Sequence, residues 1–301
     1  MRRIFQLLFW FTLAHAWGKQ VDIDRPEGKR SYWLYEPKDY QPTKSYPLQV
    51  WLHGLTGSHY NAFLFSVTTG AYDSGYLLAV GEGTTSNSSF VEKSVFPLTK
   101  LGWNAGECCG VFVDDVGYVK QMVSDVKSKW NVDRSRVFLS GFSNGAMLTE
   151  RIACETGDTI FSAYASCAGS VMVSPGGNEG LKTCDASFGT STVSYVHFHG
   201  LNDTTVPWGG YEPSKIPSAL DNYRGWVQRL GCTEERQTDP SDGVSVKRGD
   251  RSAELVRVND AGHLWWEPNL PKFLFGKFPG VDVTRYVLTF FGNTPNNMNA
   301  L

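Results

Sequence analysis

The chain has 301 residues, of which 41% are hydrophobic, 14% aromatic and 19% charged. That composition suits a folded globular protein and excludes disordered, collagen-like and coiled-coil chains. The formal charge of −2 comes without a run of Lys or Arg, so neither nucleic acid nor an anionic membrane surface is an expected partner.

At the start of the chain, Arg2 and Arg3 precede an apolar run over residues 4–13 that ends in Ala14-His15-Ala16. A positive start, a short apolar stretch and a small-x-small site form the pattern of a secretory signal peptide. The run is about half the roughly 20 residues that a membrane span needs. Residues 1–16 are therefore expected to be removed and the protein to be secreted, with no membrane span. Removal leaves 285 residues and, with Arg2 and Arg3 gone, moves the formal charge from −2 to −4. Residues 17–301 show no internal repeat and no Ser/Thr/Pro linker, and are read as a single domain.

All six cysteines survive this cleavage: Cys108, Cys109, Cys154, Cys167, Cys184 and Cys232. An even count in an oxidising compartment favours disulfides, with the pairing open. Paired Cys-x-x-Cys and His-x-x-x-His elements are missing, so no metal is expected. Asn87-Ser88-Ser89 is a candidate glycosylation site.

Short β-rich or apolar runs predict strands at residues 31–36, 48–52, 76–80, 137–139, 195–199 and 255–258. Between them, apolar residues recur at steps of three and four. One set is Val116, Val119, Met122, Val123, Val126 and Trp130; another is Tyr223, Trp226, Val227 and Leu230; a third is Val283, Tyr286, Val287 and Phe290. Strands alternating with helices predict an α/β fold, a mostly parallel central sheet with helices on both faces. Active sites in such sheets lie beyond the carboxyl ends of the strands.

After residues 137–139 comes Ser140-Gly141-Phe142-Ser143-Asn144-Gly145, followed by a good helix former. Gly-x-Ser-x-Gly between a strand and a helix is the pattern of a sharp turn that holds a nucleophilic serine in a strained conformation, at the positive end of the helix. A serine hydroxyl needs a base, and the base needs an acid to orient it. His263 lies in a loop after the strand at 255–258 and is the expected base. His197 and His199 alternate within a strand and are read as core or strand-end residues. Asp203 stands just past the strand at 195–199 and is the expected acid, with Asp260 as runner-up. The order Ser143, Asp203, His263 is the order of α/β-hydrolases. The expected oxyanion-hole donors are the amides of Asn144 and of Leu55 in His53-Gly54-Leu55-Thr56-Gly57, with Thr56 as the alternative to Leu55.

These segments, together with Gly102-Trp103-Asn104-Ala105-Gly106-Glu107-Cys108-Cys109-Gly110 and Gly262-His263-Leu264-Trp265, resemble the secreted feruloyl esterase and polyhydroxybutyrate depolymerase-like branch of the α/β-hydrolases. The resemblance runs from about Ser31 to Phe291. It implies a carboxylic ester hydrolase with Ser143 as nucleophile, His263 as base, Asp203 as orienting acid, and no cofactor. The chain departs from the branch in an apparent insertion at residues 87–101, in Asp260-Ala261-Gly262 before the histidine, and in Cys167.

Trp103, Trp208, Trp265 and Trp266 fall in loops beside motif residues, where flat faces would suit an aromatic acyl group or a sugar ring. Trp103, Trp208 and Trp265 are taken as the substrate-binding candidates. The pattern favours a feruloyl or acetyl ester on plant cell-wall polysaccharide, acted on by a monomer. A polyester depolymerase is the alternative, disfavoured because no linker and substrate-binding domain follow the last helix. A non-catalytic hydrolase-fold binding protein, a peptidase and a lipase are the remaining alternatives.

Overall fold

The computed structural model describes residues 18–88, 91, 99–189, 191–232, 234–239, 243–248, 251–270, 272, 276 and 278–296. Residues 1–16, where a signal peptide is expected, and most of residues 87–101, where an insertion is expected, lie outside them. Among the described residues, twelve strands run in chain order: β1 Lys19–Arg25, β2 Gly28–Tyr35, β3 Tyr46–Leu52, β4 Leu77–Gly81, β5 Thr84–Thr85, β6 Leu101–Gly102, β7 Val132–Phe142, β8 Ala163–Cys167, β9 Ser194–Gly200, β10 Glu234–Asp239, β11 Gly243–Arg248 and β12 Arg251–Val258.

Ten of these form one sheet in the order β1-β2-β4-β3-β7-β8-β9-β12-β11-β10, while β5 and β6 pair separately. The inner strands from β4 through β12 are mutually parallel, and the pairs at both margins are antiparallel. This is the α/β architecture that the sequence predicts.

Alternation along the inner strands builds two cores. On β3, Leu48, Val50 and Leu52 enter one core and Trp51 the other; on β7, Val137 and Leu139 oppose Phe138. The first core is closed by helices Asp115–Lys129, Asn144–Thr156, Gly177–Phe188 and Ala219–Arg229, through Met122, Leu148, Leu181 and Trp226. The second is closed by helices Val67–Ser74 and Val283–Gly292, through Ala71, Val287 and Phe291. With both faces covered, the inner strands β3, β4, β8 and β9 are buried along their whole length, and β7 is buried from Val137 to Gly141.

Strand β8 is not among the strands that the sequence predicts. Its residues are Ala-Tyr-Ala-Ser-Cys, and apart from Tyr164 they are small, with two alanines that are depleted in strands, yet all five are buried. Small side chains suit this place, since a Cβ on Gly169 just beyond β8 would already lie 2.7 Å from the Ala146 side chain. Helix Gly177–Phe188 is not predicted either, because two of its twelve residues are glycine and only four are buried.

Candidate active site

Ser143 sits between β7 and helix Asn144–Thr156 with φ 54° and ψ −119°. Positive φ is costly for a residue with a side chain and persists only where the surroundings impose it. Here the two glycines allow the turn to close. A Cβ on Gly141 would lie 2.3 Å from the Gly145 carbonyl oxygen, and one on Gly145 would lie 2.4 Å from the carbonyl oxygens of both Leu52 and His53. The turn is further pinned by the Ser143 amide donating to the Cys167 carbonyl at 2.8 Å and by the Met147 amide donating to the Ser143 carbonyl at 2.9 Å.

The structure brings Ser143, His263 and Asp203 together. His263 Nε2 is 2.8 Å from Ser143 Oγ, and His263 Nδ1 is 2.7 Å from Asp203 Oδ2. The other Asp203 oxygen accepts the amides of Thr205 and Val206, each at 2.8 Å. Burial works against the Asp203 charge, but the His263 hydrogen bond and charge, the Val206 amide and the nearby His199 outweigh it and hold the carboxyl below its ordinary value. An ionised Asp203 requires the proton on His263 Nδ1, which leaves Nε2 bare to accept from the serine hydroxyl. The two loops are tied to each other: the Leu201 amide donates to the Val258 carbonyl and the Asn202 amide to the Ala261 carbonyl. Asp260, the runner-up acid, is exposed.

Beside the serine, Gly54 approaches so closely that a Cβ there would lie 3.2 Å from Ser143 Cβ. His53 holds this loop, with Nδ1–H donating to the Gly54 carbonyl at 2.8 Å and Nε2 accepting from the Gly83 amide at 3.0 Å. Of the two donor alternatives in the loop, the Thr56 amide is committed to the Leu101 carbonyl at 2.8 Å. The Leu55 amide takes no acceptor among the described residues. The Asn144 amide lies in the first turn of its helix, where no intrahelical acceptor exists. The Asn144 side chain is occupied elsewhere. Its Oδ1 accepts from the Trp103 amide at 2.6 Å and its Nδ2 donates to the Trp103 carbonyl at 3.0 Å, which locks the Trp-Asn block against the serine turn.

Two of the tryptophan expectations are corrected. Trp103 and Trp265 are fully buried. The Trp103 indole donates to the His53 carbonyl at 2.8 Å and stacks on Tyr118; the Trp265 indole donates to Thr284 Oγ1 at 2.8 Å and packs edge-on against Trp51. Each ring supports the loops around the site and has no surface left for a ligand. Trp266 is buried too. Trp208 is half-buried, with its ring edge-on to His199.

The expectation of disulfides is met by four of the six candidate cysteines. The disulfides are Cys108–Cys109 and Cys154–Cys184. Cys167 and Cys232 lie outside both; Cys167 is a buried thiol near the Leu264 carbonyl. Asn87 is exposed, and Ser89 of its sequon lies outside the described residues. Among the described residues, no group of three or more His, Cys, Asp or Glu is arranged to hold a metal ion.

A scan against family models finds no match. Among curated proteins, the chain is 24% identical over 238 residues to feruloyl esterase B of Piromyces equi, covering 75% of this chain and 41% of that one. It is 30% identical over 260 residues to poly(3-hydroxyalkanoate) depolymerase C of Paucimonas lemoignei, covering 84% and 50%. The chain thus spans half or less of the length of these two relatives. Among solved structures, acetyl xylan esterase from Aspergillus awamori superposes with a TM-score of 0.59 at 17% identity, over 82% of this chain and 94% of that one. The fold is that of α/β-hydrolase esterases, and in sequence the chain is similar to feruloyl esterase and to a polyhydroxyalkanoate depolymerase.

Proposed function

We propose that the chain is a secreted serine carboxylic ester hydrolase acting on feruloyl or acetyl esters of plant cell-wall polysaccharide. The observation that carries this reading is the unbroken run of hydrogen bonds from Ser143 through His263 to Asp203, each side chain supplied by the loop after a parallel strand. His263 takes the serine proton as Ser143 attacks the ester carbonyl. The Leu55 and Asn144 amides hold the oxyanion, the alcohol departs with the proton from His263, and a water activated by the same ring releases the acid. Trp208 is the remaining aromatic candidate for contact with the acyl group or a sugar. Residues 1–16 act as the signal peptide and 17–301 as the catalytic domain, with Asn87 carrying the glycan; two disulfides support an oxidising destination. Polyester depolymerisation is a second reading, favoured by the depolymerase likeness.

The test is hydrolysis of methyl ferulate, acetylated xylan and a hydroxybutyrate oligomer by the protein and by Ser143→Ala. We expect one of the first two substrates to be preferred, and the variant to lose turnover by about 10⁶-fold. Equal inertness of both proteins on all three esters overturns the reading.

A further inference from the structure

Behind Asp203 runs a buried polar column that the ester-hydrolysis mechanism does not use. Tyr195, His197 and His199 share one face of β9, two residues apart, and all three are fully buried. At the far end stands Glu150, a fully buried carboxyl on helix Asn144–Thr156. Ser166 Oγ, Asn222 Nδ2 and Trp226 Nε1 donate to it at 2.6, 3.1 and 3.1 Å. The column continues through Tyr195 Oη to Glu150 Oε1 at 2.9 Å, His197 Nδ1 to Tyr195 Oη at 3.1 Å, His197 Nε2 to His199 Nδ1 at 3.0 Å, and His199 Nε2 to the Val206 carbonyl at 2.8 Å. His199 Nε2 also lies 3.7 Å from Asp203 Oδ2.

The direction of every proton follows from the last contact. A carbonyl only accepts, so His199 Nε2 carries a hydrogen. Burial, together with the neighbouring His197, pushes the His199 ring down to about 4 and keeps it neutral, so its Nδ1 is bare and accepts from His197 Nε2–H. Four successive contacts then need four hydrogens, whereas one phenol and two neutral imidazoles supply three. The fourth proton belongs to the Glu150–Tyr195–His197 triangle, where a buried carboxylate with three further donors balances its charge.

We propose that Glu150, Tyr195, His197 and His199 are positioning residues for Asp203. The column fixes the tautomer of His199, and His199 in turn holds the turn at residues 203–206 closed through the Val206 carbonyl. Val206 is the joint, since its amide donates to Asp203 Oδ1 while its carbonyl accepts from His199. With the extra proton gone, three hydrogens serve four contacts, and the arrangement in which His199 donates from Nδ1 to His197 leaves the Val206 carbonyl unpaired in the interior, which costs more than the bond itself contributes.

This inference rests on the ester-hydrolase reading for its kinetic readout, but not for its spectroscopic one. In the wild-type protein labelled with [15N]histidine, we expect His199 to appear as the neutral Nε2–H tautomer at pH 7, and the His263 Nδ1 proton bonded to Asp203 to appear at low field. An Nδ1–H tautomer for His199 overturns the proposal whether or not the protein hydrolyses an ester. In folded His199→Phe, the low-field proton is expected to broaden or move, and kcat to fall about tenfold or more with KM within about twofold. His199→Gln, whose amide can reach the same carbonyl, is expected to restore most of the loss. Glu150→Gln is expected to lower kcat like the Phe variant. A folded His199→Phe protein that keeps the low-field resonance and kcat within about twofold also overturns the proposal.

Discussion

Replacing Asp203 by Asn separates the charge of that side chain from its shape. Asp203 accepts three hydrogen bonds, from His263 Nδ1 at 2.7 Å and from the amides of Thr205 and Val206 at 2.8 Å each. Asparagine can keep its carbonyl oxygen on the two amides, but it then presents an NH₂ group to His263. Nδ1 must become the acceptor, so the ring proton moves to Nε2. There it lies 2.8 Å from Ser143 Oγ, pointing at the oxygen it should deprotonate. The base is lost with little change in geometry. The corresponding change in a serine protease triad lowers turnover by about 10⁴-fold, so kcat on methyl ferulate is expected to fall by about 10³ to 10⁴, or about 4 to 5 kcal/mol of barrier. KM should stay within about twofold, since the substrate contacts are unchanged. The assay is steady-state hydrolysis, with circular dichroism to establish folding and Asp260→Asn as the control. Asp260 is exposed and its variant is expected to remain within about twofold of wild type. A folded Asp203→Asn enzyme that keeps more than about a tenth of kcat, or an Asp260→Asn enzyme with an equal loss, refutes the assignment of Asp203.

Three further outcomes follow from the packing. Burial holds His53 neutral down to about 4, and burial with the His197 charge does the same for His199, against 6.5 for a free imidazole. Between those values the unfolded chain binds more protons than the native one, so stability is full above pH 6.5 and falls as pH drops towards 4, by about 3 kcal/mol per histidine. Urea unfolding at about pH 7 and about pH 4.5 measures this, and equal midpoints count against neutral buried rings. The Cys154–Cys184 disulfide closes a separation of 30 residues, so the double alanine variant is expected to lose about 3 to 4 kcal/mol of unfolding free energy; an unchanged denaturation midpoint contradicts the pairing. Gly145→Ala places a Cβ 2.4 Å from two backbone carbonyl oxygens. Backbone cannot swing aside as a side chain can, so esterase activity is expected to fall by about 10²-fold or more, whereas Gly209→Ala, with nothing near its Cβ, should leave it unchanged.

Much of the sheet was legible because local pattern and global position agree. The strands at β2, β3, β4, β7, β9 and β12 are apolar or β-rich runs bounded by turns, and the helices over residues 115–129, 219–229 and 283–292 carry a clean apolar stripe. Where tertiary burial rather than propensity makes the element, as in β8, no local signal existed. Alternation within a strand marks His197 and His199 as core or strand-end residues. They are core residues in a polar column whose other end, Glu150, is some fifty residues away in the chain. A buried glutamate in the middle of an otherwise apolar helix face is the one signal that could have pointed there.

The sequence by itself pointed to the candidate reaction centre, because Ser143, Asp203 and His263 each follow a strand, and a parallel sheet delivers strand ends to one edge whatever the details of packing. It also narrowed the candidate oxyanion donors to the Asn144 amide and one of the Leu55 and Thr56 amides. Only the tertiary structure decided between Leu55 and Thr56, since the Thr56 amide is consumed by Leu101, a residue 45 positions later. The tertiary structure also decided which tryptophans are buried supports, and which cysteines meet. Those questions turn on which side of a loop faces the interior, and that is set by contacts between segments far apart in the chain, for which a linear string of residues carries no local signal.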